Sequence, residues 1–198
     1  MAKIVLKDVR LAFTSVFTAA QFDATSDPAF ETHIIIDPKS GTVKPLEETI
    51  RAVAKEKWED RAPAILKDLA AKDRIAFRKS EKTSEAGESY SGFEGMYWLK
   101  AKSKKRPGVL NRDKTPLDEQ DGVIYSGCYA NVSLDVYAYD DKKFGKRIIA
   151  KLLAVQFSKD GDSFGGGARA SDEDFEDISD TGEENGGPAS EDDDDIPY

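Results

Sequence analysis

In residues 95–102, Gly-Met-Tyr-Trp-Leu-Lys-Ala-Lys, period-2 alternation sets Trp98, Lys100 and Lys102 on one face of a strand and Tyr97, Leu99 and Ala101 on the other. An indole followed by two ammonium groups suits a nucleic-acid strand. Stacking a base on an aromatic ring is worth about 1–3 kcal/mol whichever base it is, and lysines neutralise phosphates without reading sequence. Arg78, Lys79 and Lys82 precede this strand, with Tyr90 and Phe93 between; Lys104, Lys105, Arg106, Arg112 and Lys114 follow it. A second run, residues 125–139, also alternates. Its even positions, including Cys128, Ala130, Val132, Leu134 and Val136, form a core face, which leaves Tyr125, Tyr129, Tyr137 and Tyr139 on the other. Side chains two residues apart stand about 7 Å from each other, a spacing that a splayed nucleotide strand matches. Plainer readings stand beside these: burial for Trp98, a solvated loop for residues 102–106, and ordinary β-propensity for about half of the tyrosines.

The other reactive side chains do not assemble into a catalyst. The chain has no Gly-x-x-x-x-Gly-Lys-Ser/Thr loop, and the Gly165-Gly166-Gly167 run leads into Ala-Arg-Ala, so it reads as linker. Asp140-Asp141 and Asp160-x-Asp162 fall in turns, where acids are common without a metal. His33 is the only histidine and Cys128 the only cysteine, which excludes a disulfide scaffold and a Cys/His zinc site. Cys128 lies on the core face and reads as a packed thiol, His33 as a structural side chain, and Asn131-Val-Ser133 as a chance match to a glycosylation pattern. No enzyme, no cofactor and no metal are expected.

The elements that position the stacking residues are mostly strands. Alternation marks residues 3–17, with Val5, Val9, Leu11 and Phe13 on one side and Asp8 and Arg10 on the other, and then residues 30–36, stopped by Asp37-Pro38. Between residues 45 and 71 the period becomes helical. Leu46, Ile50, Val53, Ala54 and Trp58 recur at three and four, and Pro63 restarts a second short helix carrying Ile65, Leu66 and Leu69. Further strands are expected at 75–78, 95–102, 125–139 and 146–157. Strands with one helical insertion and no regular βαβ alternation indicate a mainly β fold. The expected architecture is an OB-fold-like, partly open antiparallel β-barrel, with a β-sandwich carrying a helical excursion giving nearly the same pattern. No apolar run reaches the roughly 20 residues of a membrane-spanning helix, and the Ile4–Leu6 stretch is too short for a signal peptide, so a cytoplasmic protein is expected.

Charge divides the chain. Residues 161–198 hold one basic residue against 14 acids, and residues 1–160 hold 28 basic against 24 acidic, so a net −9 conceals a mildly basic body and a strongly acidic end. Gly- and acid-rich, with few large apolar groups, residues 161–198 read as a disordered tail on a domain spanning 1–160. The chain finishes Asp192-Asp193-Asp194-Asp195-Ile196-Pro197-Tyr198, an acid cluster followed by a short apolar hook that a pocket with an apolar floor and a basic rim would hold.

This ending resembles the Asp-Asp-Asp-Ile-Pro-Phe tip of bacterial single-stranded DNA-binding proteins, with Tyr198 in place of the phenylalanine. As a whole, the chain resembles the phage-encoded single-stranded DNA-binding proteins, an OB-fold family. The likeness takes in the Met-Ala-Lys-Ile-Val-Leu-Lys opening, the aromatic and basic stretch at 92–102, and the acidic, aromatic-ended tail. It implies a role in phage replication or recombination, with single-stranded DNA as ligand and replication or recombination proteins recruited through residues 192–198. Two rivals remain open at this point: a strand-annealing mediator, and an interaction protein whose tail mimics DNA. The sequence carries no signal of oligomeric state.

Overall fold

A computed structural model of the chain describes residues 1–21 and 27–164. Met1–Gly167 group into one compact unit, and the second unit, Ala168–Tyr198, lies outside the described residues, as do the expectations for the tail beyond residue 164 and for its tip.

The first strand, β1 (Ala2–Ala20), is long enough to serve two neighbours. Its first half pairs antiparallel with β6 (Tyr129–Asp141), from Ala2 opposite Val136 to Arg10 opposite Tyr129. Its second half pairs with β2 (Ala29–Ile36), from Arg10 opposite Ile35 to Ala20 opposite Ala29. Changing partner along one strand requires it to coil, and two bulges provide the bend. The register shifts between Leu6 and Val9 and between Ala12 and Ser15, and Asp8 and Phe13 each sit at φ 49°. Each extra residue reverses the alternation. The expectation that Val5, Val9, Leu11 and Phe13 share one side is therefore corrected: Val9 and Leu11 are buried, whereas Val5 and Phe13 are 49% and 38% exposed.

The helical insertion follows β2. In α1 (Val43–Trp58) the expected stripe of Leu46, Ile50, Val53, Ala54 and Trp58 is buried. The indole of Trp58 donates to Asp140 Oδ2 at 3.1 Å and so ties the end of α1 to the end of β6. Glu59, at φ 50°, breaks the helix; a 3-10 turn (Glu59–Arg61) follows, and Pro63 opens α2 (Ala62–Ala71). The chain then forms β3 (Phe77–Arg78), β4 (Tyr97–Ser103) and β5 (Gly108–Leu110) before β6, and β7 (Gly145–Lys159) closes the series. The three residues of β5 lay outside every expected strand.

Strands β1, β2, β4, β7 and β6 form a closed ring in that order. All neighbours are antiparallel except β4 and β7, which meet in parallel at Ala101 opposite Ala150 and Lys102 opposite Lys151. Beyond these two pairs the seam is bridged by the segment that leaves α2. Ala76 donates its N–H to the Ile148 carbonyl, and its own carbonyl accepts from the Lys100 N–H. This strand order, with the single parallel closure, is that of an OB barrel, here with its helices between the second and third barrel strands. Inside, Leu6, Leu11, Ile34, Leu99, Val132, Leu134 and Leu152 are buried, each contributing about 1.5–3 kcal/mol relative to exposure. A smaller apolar group, Ala12, Ile35 and Phe93, is buried on the outside of the ring. Something must cover it, and that cover belongs to the candidate site.

Candidate nucleic-acid interface

The outer face of β1, β2 and β4 is a regular lattice. Across the three strands the registers place Arg10, Ile35 and Trp98 in one row, Ala12, His33 and Lys100 in the next, and Ser15, Glu31 and Lys102 in the third. Over this face runs the connection from β3 to β4. Thr83 bridges Ser89, the Tyr90 N–H bonds the Lys82 carbonyl, and successive turns bond Phe93 to Tyr90 and Met96 to Phe93. The loop drives Phe93, 1% exposed, onto Ala12 and Ile35 and leaves Tyr90 37% exposed at its edge.

Together these residues build a continuous aromatic cluster in which His33 and Phe93 are buried and Phe13, Tyr90 and part of Trp98 reach the surface. The Trp98 ring lies 5.2 Å from that of His33, His33 lies 5.1 Å from Phe13, and Phe13 meets Tyr90 edge-on at 5.1 Å and Phe93 at 6.0 Å. Lys82 sits over it, its Nζ 4.9 Å from the Trp98 ring, 5.4 Å from Tyr90 and 5.5 Å from Phe13. The Arg78 guanidinium lies 5.9 Å from the same indole. Such contacts are worth about 0.5–2 kcal/mol each, more as water is excluded. Burial pushes the Lys82 ammonium below its ordinary range, the Lys100 charge adds to this, and Glu31 opposes it.

Beneath the rings is a buried charge group. Glu31, 1% exposed, meets Lys100 Nζ at 2.7 Å and His33 Nε2 at 3.2 Å. Burial works to raise the Glu31 pKa, but hydrogen bonds from His33 and Lys100 outweigh it and leave the carboxyl below its usual range. Burial pulls His33 down, and Glu31 only partly offsets this, so the imidazole is neutral near pH 7. Among the described residues, Glu31 Oε2, His33 Nδ1 and Trp98 Nε1 are buried without a hydrogen-bond partner.

The sequence pattern of one phage family, described as "Enterobacter phage Enc34, ssDNA-binding protein", matches residues 2–186. The chain belongs to that family. A relative, protein p50 of Acyrthosiphon pisum secondary endosymbiont phage 1, is 36% identical over 179 residues, covering 89% of this chain and 94% of that one. Among solved structures, the single-stranded DNA-binding protein of bacteriophage Enc34 in complex with ssDNA aligns with a TM-score of 0.66 at 22% identity, over 82% of this chain and 89% of that one. The single-stranded DNA-binding protein gp2.5 of bacteriophage T7 aligns at 0.55 and 10% identity, over 86% and 99%. At these identities the two structures speak for the fold alone.

Within this family member the residues singled out from the sequence fall into several groups. Trp98, Lys100, Lys102, Tyr90 and Phe93 come together as described, with Phe93 as a buried support. Arg78 lies beside Trp98 but also donates to the carbonyls of Asp73 and Ile75 and pairs with Asp73 at 3.2 Å, while Lys79 pairs with Glu47. At the far end of β4, Lys104 pairs with Asp27 at 2.5 Å, the Lys105 N–H bonds Ser103 Oγ, and Arg106 lies 6.0 Å from the Phe17 ring. Arg112 lies 5.1 Å from the Phe157 ring on the β5 side of the barrel.

The tyrosines divide. Tyr129 stands between Lys159 at 4.6 Å and Arg10 at 5.8 Å, and Tyr125 hydrogen-bonds Asp160 and the Gly161 backbone. Tyr137 is half-buried about 27 Å further along β6 at 3.4 Å per residue. Tyr139 is near it, with Arg147 5.8 Å from its ring.

Sequence reasoning missed Phe13, the partnership of His33 with the rings, and Arg10 with Phe164. Arg10 donates to the Gly127 and Asp162 carbonyls and lies 4.2 Å from the Phe164 ring. The seated chain thus continues to Phe164, past the boundary at residue 160 that composition suggests. Among the described residues no group of three His, Cys, Asp or Glu side chains is placed to hold a metal.

Proposed function

We propose that the chain binds single-stranded DNA without sequence preference, as a coating protein rather than an enzyme. The outer face of β1, β2 and β4 is the path of the strand. The observation that carries this is the set of Trp98, Phe13 and Tyr90 rings, joined through the buried His33 ring and flanked by Lys82, Lys100, Lys102 and Arg78. Ring faces accept any base and the cations meet phosphates, whereas nothing in the lattice supplies a nucleophile with a base beside it. Membership of a phage single-stranded DNA-binding family supports the same ligand. Tyr129 with Lys159, and Tyr139 with Arg147, extend the surface around the barrel.

Replication or recombination of phage DNA in the host cytoplasm is the setting this reading implies. The body of residues 1–160 carries residues 161–164 packed against it, and the rest of the acidic tail follows. Residues 192–198 recruit replication or recombination proteins, and the acids compete for the basic face when DNA is absent. Phe164, the last described residue, lies against Arg10 at the edge of that face. The test is an anisotropy titration of labelled oligo-dT across a salt series, for the full chain and a version ending at Glu191. Affinity should fall with salt at a slope of about −0.7 per phosphate contacted, and truncation should tighten binding most at low salt. No binding by either version would overturn the proposal. Equal affinity of the two versions would remove the tail's inhibitory role.

A further inference from the structure

Beside the aromatic surface is a cavity of about 360 Å³, lined by Phe13, Tyr90, Phe93 and Phe164 with Ser91 and Ser126. We propose that this cavity receives one nucleobase turned out of the bound strand, an inference that rests on the single-stranded DNA reading above.

Three observations support the assignment. The first is continuity, because Phe13 and Tyr90 form both the rim of the cavity and the end of the surface under Lys82, so a strand lying on that surface passes the opening. The second is chemistry. Four rings provide apolar walls, and at the polar edge Ser126 Oγ accepts from the Thr14 N–H, which leaves its hydroxyl hydrogen to donate. A hydroxyl serves as donor or acceptor, so such a lining takes any base. The volume falls near the lower end of small-ligand pockets, about 300–1,000 Å³, as one planar ring system requires.

The third observation is that the far wall is deliberately seated. Phe164 donates its N–H to the Ser126 carbonyl and stacks under Arg10. Its ring occupies the place a side chain at residue 92 would need: Gly92 has φ +83°, and a Cβ there would lie 2.4 Å from the ring. Gly127, at φ +123°, clears the Asp162 carbonyl in the same way. Two glycines, an arginine and the Tyr125 hydroxyl thus hold residues 161–164 in place. Phe93 is equally fixed, while Phe13 and Tyr90 remain partly exposed at the mouth. The cavity has two rigid walls and an aromatic entrance.

The experiment uses the full chain and an oligonucleotide carrying 2-aminopurine at several positions, whose emission falls when its ring stacks on an aromatic side chain. Ser91→Leu fills the mouth from an exposed position, and Phe164→Ala removes a wall; thermal melts establish that both variants fold. The expected result is that both lose most of the emission change and bind roughly 5- to 150-fold more weakly, as for one lost stack, with the salt slope unchanged. If folded variants keep the emission change and the affinity, or if only one of the two is affected, the cavity proposal is overturned while DNA binding itself stands. No anisotropy response from the unsubstituted chain would overturn the binding reading, and the cavity with it.

Discussion

Lys82 Nζ lies 4.9 Å from the centre of the Trp98 indole. The same ammonium serves the Phe13 and Tyr90 rings, so one cation covers three aromatic faces. On the proposed path of the strand, binding exchanges partners: the ammonium is expected to move to a phosphate while a base takes its position. The proposed binding face is thus partly covered by its own cation.

Lys82→Ala separates these two contributions. With one phosphate contact gone, the slope of log affinity against log salt should become shallower by about 0.7. Binding should be weaker at low salt. At high salt, where phosphate contacts count least and the indole lies open, the variant should equal or exceed the unsubstituted chain. An anisotropy salt series measures both, and an unchanged slope would place Lys82 off the phosphate path.

Rings at the surface and beneath it should respond differently. Phe13 is 38% exposed and Phe93 is 1% exposed, although their centroids are only 6.0 Å apart. Phe13→Ala should weaken oligo-dT binding by about 1–3 kcal/mol with little change in melting temperature. Phe93→Ala opens the packing on Ala12 and Ile35 and should cost about 3–5 kcal/mol of stability. Melting and titration of the two variants test the contrast, and equal losses in both assays would contradict it.

Acid should destabilise the fold through the pair beneath the rings. The His33 pKa is held below its ordinary 6.5 by burial. Above pH 6.5 the ring is neutral folded or unfolded; below it the unfolded chain takes up the proton first, so stability falls as pH decreases. The Glu31 carboxyl, raised by burial but lowered further by His33 and Lys100, lies below its ordinary 4.5 and adds a second loss under that pH. Lys82 and Lys100 face the same pair and oppose protonation of His33. Melting temperature should fall from pH 6.5 downward, and His33→Gln should flatten the upper part of that fall. An identical profile in the variant would assign the loss to other groups.

Regular strands and helices were legible in the sequence because nothing interrupts their periods. The α1 stripe from Leu46 to Trp58 and the outward set of Trp98, Lys100 and Lys102 both follow from counting. β1 resisted that reading because Asp8 and Phe13 take left-handed backbone at bulges, a choice that neither residue type announces. Phe13 thereby moved from the side of the strand expected for it, that of Leu11, to the opposite face. Lys82 was legible as a nearby cation, but its place over Trp98, like the place of Phe164, was not, since no local period links residue 82 to residue 98 or residue 164 to residue 92. Phe164 also lies in a stretch whose composition is that of a tail.

The seam between β4 and β7 makes the helical insertion a fastener. Two direct register pairs hold the seam, and Ala76, just after α2, supplies the next links to Ile148 and Lys100. A hoop fastened this way closes more firmly with its helices in place, because part of the clasp is threaded through the chain that leaves them. The strand on one side of that clasp is also the one bearing Trp98 and Lys100, so the proposed binding face and the helical insertion share a backbone connection.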